Sequence, residues 1–553
     1  RGEEVKIDWR PYRDSMYVTP RKEPFALFKD NNHTFQGVMI LTPDGLKGNG
    51  LFDWDKASMN SNLFSFGAFS ADADTTDLSI KAFDAGELAL TTSNVKGMVD
   101  FDEQIGTFKA NDEFLVTTLP YNQYITSMNE FDWDMKEETI TFKTEEDKLG
   151  SFTSIHPEQD SLQFKGKAAF YDLKSSQLNI SGVPYIVAAD AFIYPDSEYV
   201  EIQPGGYMSK LENSKIIADT INQYHVINRA SIEILGRRMY KASGFYEYNI
   251  GDREQEIDLQ NIVGQPVGKG SWKNKRMVTR ATGKVNEIDD FYIDHKTGFK
   301  GTISLNAESK NLKFDGFARL DADKLNKSYW FTISNEGDKN DLEISFDQPK
   351  SFEGDPLRTG LYLSKETTRI YPRVMAPLTY RKDRAIFPVT GILKYNKEKD
   401  QFIFGDSLKV ASNEGRGNKF VFKNKTGQVE AEGRFNIGSG LQYIKVDAAG
   451  VATTEIPPPI EEKEEEEENL DMMSAEEDTA AMVPNIIPEI PLDADLMAGV
   501  QLIVPEALLK ILVTDVQSSS FDARNITYLT DINFYKQAAF ELFPPNKELK
   551  EAI

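Results

Sequence analysis

The chain has 553 residues, no cysteine, 63 basic against 88 acidic side chains and a formal net charge of -25. Such a length suits several cores, and such a charge argues against a nucleic-acid partner, because neutralising phosphates needs a surplus of Lys and Arg. Without cysteine there are no disulfides, thiolate nucleophiles or Cys-ligated zinc and iron–sulfur sites, so buried area alone must hold the fold.

The apolar runs, such as Ile186 to Ala189 and Leu502 to Val504, fall far short of the roughly twenty residues a membrane-crossing helix needs, so no transmembrane helix is expected. The chain opens at Arg1 with no leader-like segment, and Lys547 to Ile553 reads as a helix still under way. A removed signal or upstream region, and a longer parent protein, are therefore expected.

The dominant signal is period-two alternation interrupted by short polar turns, the pattern of half-buried strands joined as hairpins. In residues 1–150, expected to be an N-terminal β-hairpin domain, Phe52-Asp-Trp-Asp55 returns as Phe131-Asp-Trp-Asp134. Each copy sets an aromatic residue and a Trp on one strand face and carboxylates on the other. Trp54 and Trp133 then read as packed rings or as sugar-stacking platforms. A weaker hairpin begins at Gly97.

Residues 151–290 read as a central stacked β-domain. The stretch from Gly166 to Gly182 is the clearest hairpin, with Asp172 opening the turn and Leu178 and Ile180 on one face. From Val183 to Tyr248 short apolar strands recur at about ten-residue spacing, the cadence of a sandwich, barrel, jellyroll or solenoid-like stack.

Residues 291–450 read as a third β-domain. There Gly301 to Gly316 turns at Asn306, Gly391 to Gly405 turns at Asn396, and a weaker copy starts at Phe420. Asn and Asp suit such turns because they tolerate left-handed backbone torsions.

Residues 451–495, with Ile456-Pro-Pro-Pro-Ile460 and the acidic run Glu461 to Glu468, have the composition of a disordered linker. Residues 496–553 read as a helical segment, with a helix starting at Pro505 and a second from Asp531 to Phe543. The fold class expected is mainly β, in tandem antiparallel hairpin modules, with this linker and a short helical C-terminal segment.

No serine-nucleophile elbow, phosphate loop, dinucleotide fingerprint or zinc-protease helix occurs, and no catalytic residue is nominated. A glycosidase needs only two carboxylates at a set separation, which abundance of acid neither supports nor opposes. His33, His156, His225 and His295 lack ligand spacing, and His225 reads as a satisfied structural histidine. No cofactor is indicated apart from calcium, for which Asp72, Asp74 and Asp77, or Asn335 with Asp338 to Asp341, offer loop oxygens that read more readily as solvated turns. A basic island of Lys269, Lys273, Lys275, Arg276 and Arg280 around Trp272, with Arg237 and Arg238 upstream, reads as solvated charge or as a contact for an acidic partner, lipid headgroup or phosphorylated glycan.

The stretch Gly182-Val-Pro-Tyr-Ile-Val-Ala-Ala-Asp-Ala191, with Gly206-Tyr-Met208, Leu211-Glu-Asn-Ser214 and Tyr224-His-Val-Ile-Asn228, resembles long uncharacterised cell-envelope-associated β-rich proteins of Bacteroidota. Pro43-Asp-Gly-Leu46, Phe52-Asp-Trp-Asp55 and Pro120-Tyr-Asn-Gln-Tyr124 fit the same resemblance. The strand cadence is also similar, in rhythm alone, to the lipopolysaccharide-transport (OstA-like) β-jellyroll proteins, which implies an apolar groove for acyl chains.

Together these readings lead to an expected non-catalytic scaffold or binding subunit of a bacterial cell-envelope assembly, exported to the periplasm or associated with the outer membrane, with protein partners. One alternative is a glycan-binding or glycan-processing protein using Trp54 and Trp133, which full burial of those rings would exclude. The other is a lipid-carrying β-groove along Val183 to Tyr248, which a side-chain-filled interior would exclude.

Overall fold

The structure, a computed structural model, describes residues 2–504 and 538–541, apart from 3, 29–31, 83–85, 145–147, 272–274, 339–340, 413–416, 439–443, 458–486 and 488. Strands take 60% of the chain and helices 5%, so the mainly β reading holds, in large antiparallel sheets with no closed barrel among the described residues. Contacts divide the chain into two units. The first is Arg1–Tyr248 with Glu256–Gly283 and Leu305–Lys310, and the second is Asn249–Gln255, Lys284–Ser304 and Asn311–Ile553. The boundary expected at 150 instead falls in strand Gly150–Ser154, which pairs on both edges, with Tyr124–Thr126 and with Gln163–Gly166.

The first unit starts as a meander. Strands Val5–Arg10, Ser15–Pro20, Thr34–Thr42, Gly45–Asp53, Ala57–Phe66, Ser70–Lys81 and Leu88–Asp100 pair in that order. Strand Leu88–Asp100 then forks the sheet. Its end, from Val95 to Asp100, pairs with Ile105–Ala110, while Thr91 pairs with Thr118 of strand Thr117–Leu119. Beyond the fork the chain lays down hairpins alternately in two ladders.

One ladder runs Ile105–Ala110, Glu130–Asp134, Thr139–Lys143, Ala168–Asp172, Gln177–Ser181, Tyr199–Ile202. The other runs Thr117–Leu119, Tyr124–Thr126, Gly150–Ser154, Gln163–Gly166, Ile186–Ala188, Ala191–Tyr194, Leu211–Ala218, His225–Gly236, Met239–Glu247, Glu256–Val267, Arg276–Val285.

Side-chain alternation explains why both ladders are stable. In the first, Phe108, Phe131, Phe142, Ala169, Ile180 and Val200 are direct cross-strand neighbours and point inward. In the second, Phe152, Phe164, Ile186, Ile193, Ile216 and Ile227 form the matching row, each at most 3% exposed. The rows meet: a Cβ on Gly166 would lie 2.5 Å from Cγ2 of Ile180 and 3.4 Å from the Phe152 ring. The long strands bend where the register shifts, as between Leu211 and Ser214 and between Gln260 and Val263. Asn213 and Asn261 adopt φ of 49° and 53° there, a conformation Asn tolerates better than most side chains.

In the second unit, strands Glu343–Phe346, Gly391–Asn396, Gln401–Gly405, Lys419–Lys423, Gln428–Phe435, Ile444–Glu455, Asp493–Val504 and Ala538–Glu541 form one ladder. A three-stranded sheet joins Ile370–Ala376, Arg358–Leu363 and Arg384–Pro388, with Tyr362, Tyr371 and Ile487 in its core. Strands Thr297–Asn306, Lys313–Leu320 and Phe331–Glu336 pair consecutively.

The expected hairpins are present here, and Gly301 faces Gly316 across one of them. Gly301 has φ of 152°, and a Cβ on it would come within 2.5 Å of the Asp315 carbonyl oxygen. Glycine at this position is therefore a demand of backbone approach, not of the turn.

The C-terminal reading needs correcting. Residues 451–455 and 493–495, expected in a linker, belong to neighbouring strands, and residues 496–504 continue one of them rather than opening a helical segment. The Thr454 hydroxyl donates to the Pro491 carbonyl, and Ile487 is buried, so both ends of the acidic connection are tied in. Ala538–Glu541, expected in a helix, is a strand on Gln501–Val504, because four mixed residues fit either period and edge pairing overrides local propensity. The helix expected from Pro505, the rest of that from Asp531, and the acidic run lie outside the described residues.

Candidate functional site

The two Phe-Asp-Trp-Asp copies converge. Trp54 sits in a tight turn closed by reciprocal backbone hydrogen bonds with Ala57, and Trp133 lies in strand Glu130–Asp134. Their rings stack at 6.1 Å with planes 27° apart, and Phe52 and Phe101 pack on Trp54 at 5.0 and 5.5 Å. Exposures of 4% and 0% leave neither ring a face for a sugar, which overturns the sugar-stacking role. A cavity of about 150 Å³ adjoins Trp133, but its lysines are already engaged. Lys56 Nζ donates to Glu138 and the Met135 carbonyl, and Lys81 Nζ to Asp53 and the Trp54 carbonyl.

Three arginines of the basic island are engaged within the chain. Arg237 meets Asp160 at 3.3 Å, the Arg238 guanidinium donates to the Lys275 carbonyl, and Arg276 pairs with Glu308. Trp272 and Lys273 lie outside the described residues.

The calcium candidates do not assemble. Asp74 pairs with Lys96 at 3.4 Å, Asp77 accepts from the Asn94 amide, and Asp341 pairs with Lys394. Burial, then the nearby Asp100 carboxylate, pushes the Asp72 pKa up, which disfavours the charged ligand form. Among the described residues no group of three or more His, Asp or Glu side chains is placed to hold a metal, Asp338 included. His225 is fully buried between Tyr246 and the Ser309 carbonyl, as a satisfied structural histidine should be.

Sequence reasoning missed a polar network in the second unit. The Asn424 side chain, fully buried, donates to Asp323 and Asp400, both at 3.0 Å, and accepts from the Asp323 amide at 2.8 Å. Tyr395 donates to Asp400, and Lys296 lies 3.1 Å from Asp323 and 3.7 Å from Asp321. Every donor of that amide is spent on holding segments together, which makes the network a brace. Asn424 and Asp323, which bond directly, are 101 residues apart, and no local spacing announces the network.

The strands from Ile186 to Gly236 carry apolar residues on both faces. They turn Ile186, Ala188, Ala191, Ile193, Ile216, Ala218 and Ile227 inward, all 0% exposed, so the interior is filled and leaves no acyl groove among these residues. The opposite face is also apolar. Val187, Phe192, Ile217 and Val226 stand in direct register across successive strands, with Val187 37% exposed and the others half-buried. Tyr185, 44% exposed, packs edge-on against Phe192 at 5.2 Å, and Lys215 Nζ lies 5.9 Å from the Tyr194 ring centre. An outer sheet face is ordinarily polar, so a contiguous apolar row there departs from the usual alternation. No protein-family model matches the chain, and no curated protein matches it.

Proposed function

We propose that the chain is a non-catalytic scaffold or binding subunit of a bacterial cell-envelope assembly, in the periplasm or on the outer membrane. The observation that carries the binding role is the outward row Val187, Phe192, Ile217 and Val226 with Tyr185 at its border. Apolar residues placed in register on a solvent face gain most when another protein covers them. The envelope placement rests on the sequence resemblance, whose main stretch contains Tyr185 and Val187 and ends at Ala191, next to Phe192.

A native pull-down of the intact chain, with bound proteins and lipids identified, tests this reading. Envelope proteins should be recovered with the native chain and lost with Tyr185→Asp/Val187→Asp. Recovery as a monomer without an envelope partner overturns the proposal.

A further inference from the structure

The meander opens on strand Val5–Arg10, whose only described neighbour is Ser15–Pro20. Its outer backbone edge is unpaired among the described residues. The residues alternate as in a half-buried strand, with Val5, Ile7 and Trp9 on one face and Lys6, Asp8 and Arg10 on the other. The apolar face is nonetheless open: Ile7 is 58% and Trp9 70% exposed, over Val18 and Met16 of the neighbouring strand. An unblunted edge beside an uncovered apolar row is a template for strand addition.

The charges identify the occupant. Within the strand, Val5-Lys-Ile-Asp-Trp9 is complementary to itself when read in reverse. Antiparallel pairing of two copies of the strand centred on Ile7 sets Lys6 opposite Asp8 and Val5 opposite Trp9, each twice, while Glu4, just outside the strand, stays with Lys22. Centring on Asp8 instead would set Asp8 against itself and Lys6 against Arg10, and centring on Lys6 would set Lys6 against itself. Like charges directly opposite are unfavourable, so one register is selected. In it both apolar rows fall on the same side and extend each other.

We propose that strand Val5–Arg10 is a homotypic docking edge, through which two copies of this chain join their sheets antiparallel about Ile7. This adds a self-association surface to the scaffold reading and does not depend on which envelope partner that reading requires.

The test is sedimentation of the purified full chain over a range of concentrations, with circular dichroism confirming the fold of each variant. The native chain should form dimers. Asp8→Lys and Lys6→Asp, alone, should each weaken the dimer about tenfold, because two attractive pairs become repulsive. Mixing the two variants should restore association as a heterodimer, and Lys6→Asp/Asp8→Lys in one chain should restore it as a homodimer. A chain that stays monomeric, folded single variants that dimerise as the native chain does, or a folded mixture that fails to associate would each overturn the proposal. So would a monomeric chain that pairs this edge only with a strand of another protein. Since purified chain alone is used, failure here leaves the pull-down result untouched.

Discussion

His225 Nε2 lies 2.7 Å from the Ser309 carbonyl oxygen, and a carbonyl can only accept, so the ring carries its proton on Nε2. Nδ1 then accepts from the Tyr246 hydroxyl at 3.2 Å. Burial pushes the His225 pKa below its ordinary 6.5, against the opposing pull of the Ser309 carbonyl. The folded state therefore holds this histidine neutral, while the unfolded chain takes up a proton as pH falls through 6.5. Stability from this group is present above pH 6.5 and is lost as pH falls from there toward the depressed folded value. Denaturant titrations at pH 7.5, 6.5 and 5.5 should show that loss in the native chain and a flatter profile in His225→Gln. Equal pH dependence in both would refute the assignment.

Trp133 is fully buried in the stack with Trp54, whereas Trp9 is 70% exposed on the edge strand. Trp133→Ala should cost roughly 3–5 kcal/mol of unfolding free energy, as large-to-small core changes do. At dilutions where the chain is monomeric, Trp9→Ala should stay within about 0.5 kcal/mol, as surface changes do. Urea unfolding of the two variants makes the comparison, and similar midpoints would be inconsistent with this packing.

At the Gly301–Gly316 pair, a Cβ on residue 316 would meet the Lys300 carbonyl oxygen at 2.4 Å and the Gly301 Cα at 2.7 Å. Backbone on both sides cannot give way cheaply. Gly316→Ala should destabilise by about 1–3 kcal/mol, the range for overpacked positions. Thermal unfolding would show it as a clear drop in midpoint.

Asn424 donates to both Asp323 and Asp400. Asn424→Ala leaves an exposed and a half-buried carboxylate without their shared donor and should cost roughly 1–2 kcal/mol, the net worth of the hydrogen bonds lost. Asn424→Asp should cost more, since it brings a third carboxylate to the same place. If denaturation ranks the two variants the other way, the brace is misassigned.

Much of the fold was legible because its signals are local. The alternation in Ala168–Asp172 and Gln177–Ser181 is a property of neighbouring residues, and Asp172 reveals its turn by accepting from the Lys174 and Ser175 amides close to it. The Trp54 and Trp133 repeat was visible too, but its meaning was not. Whether a ring on a strand face is packed or exposed depends on what the other ladder places over it. The outer row from Val187 to Val226 was hidden for the same reason, since a strand apolar on both faces does not say which face is covered.

The C-terminal stretch marks the opposite limit. Ala538–Glu541 has residues suited to a helix, yet it pairs with Gln501–Val504. Likewise Ile444–Glu455 and Asp493–Val504 are neighbours although a long acidic connection separates them.

By itself, then, the sequence determined the period, the turns and the mainly β class, because backbone alternation and Asx turns are short-range chemistry. Only the tertiary structure decided that hairpins alternate between two ladders, that Trp54 meets Trp133, and that Ile7 and Trp9 stay uncovered. Those outcomes depend on which distant strands pair, and pairing is chosen by the summed burial and register of the whole sheet, not by any one segment.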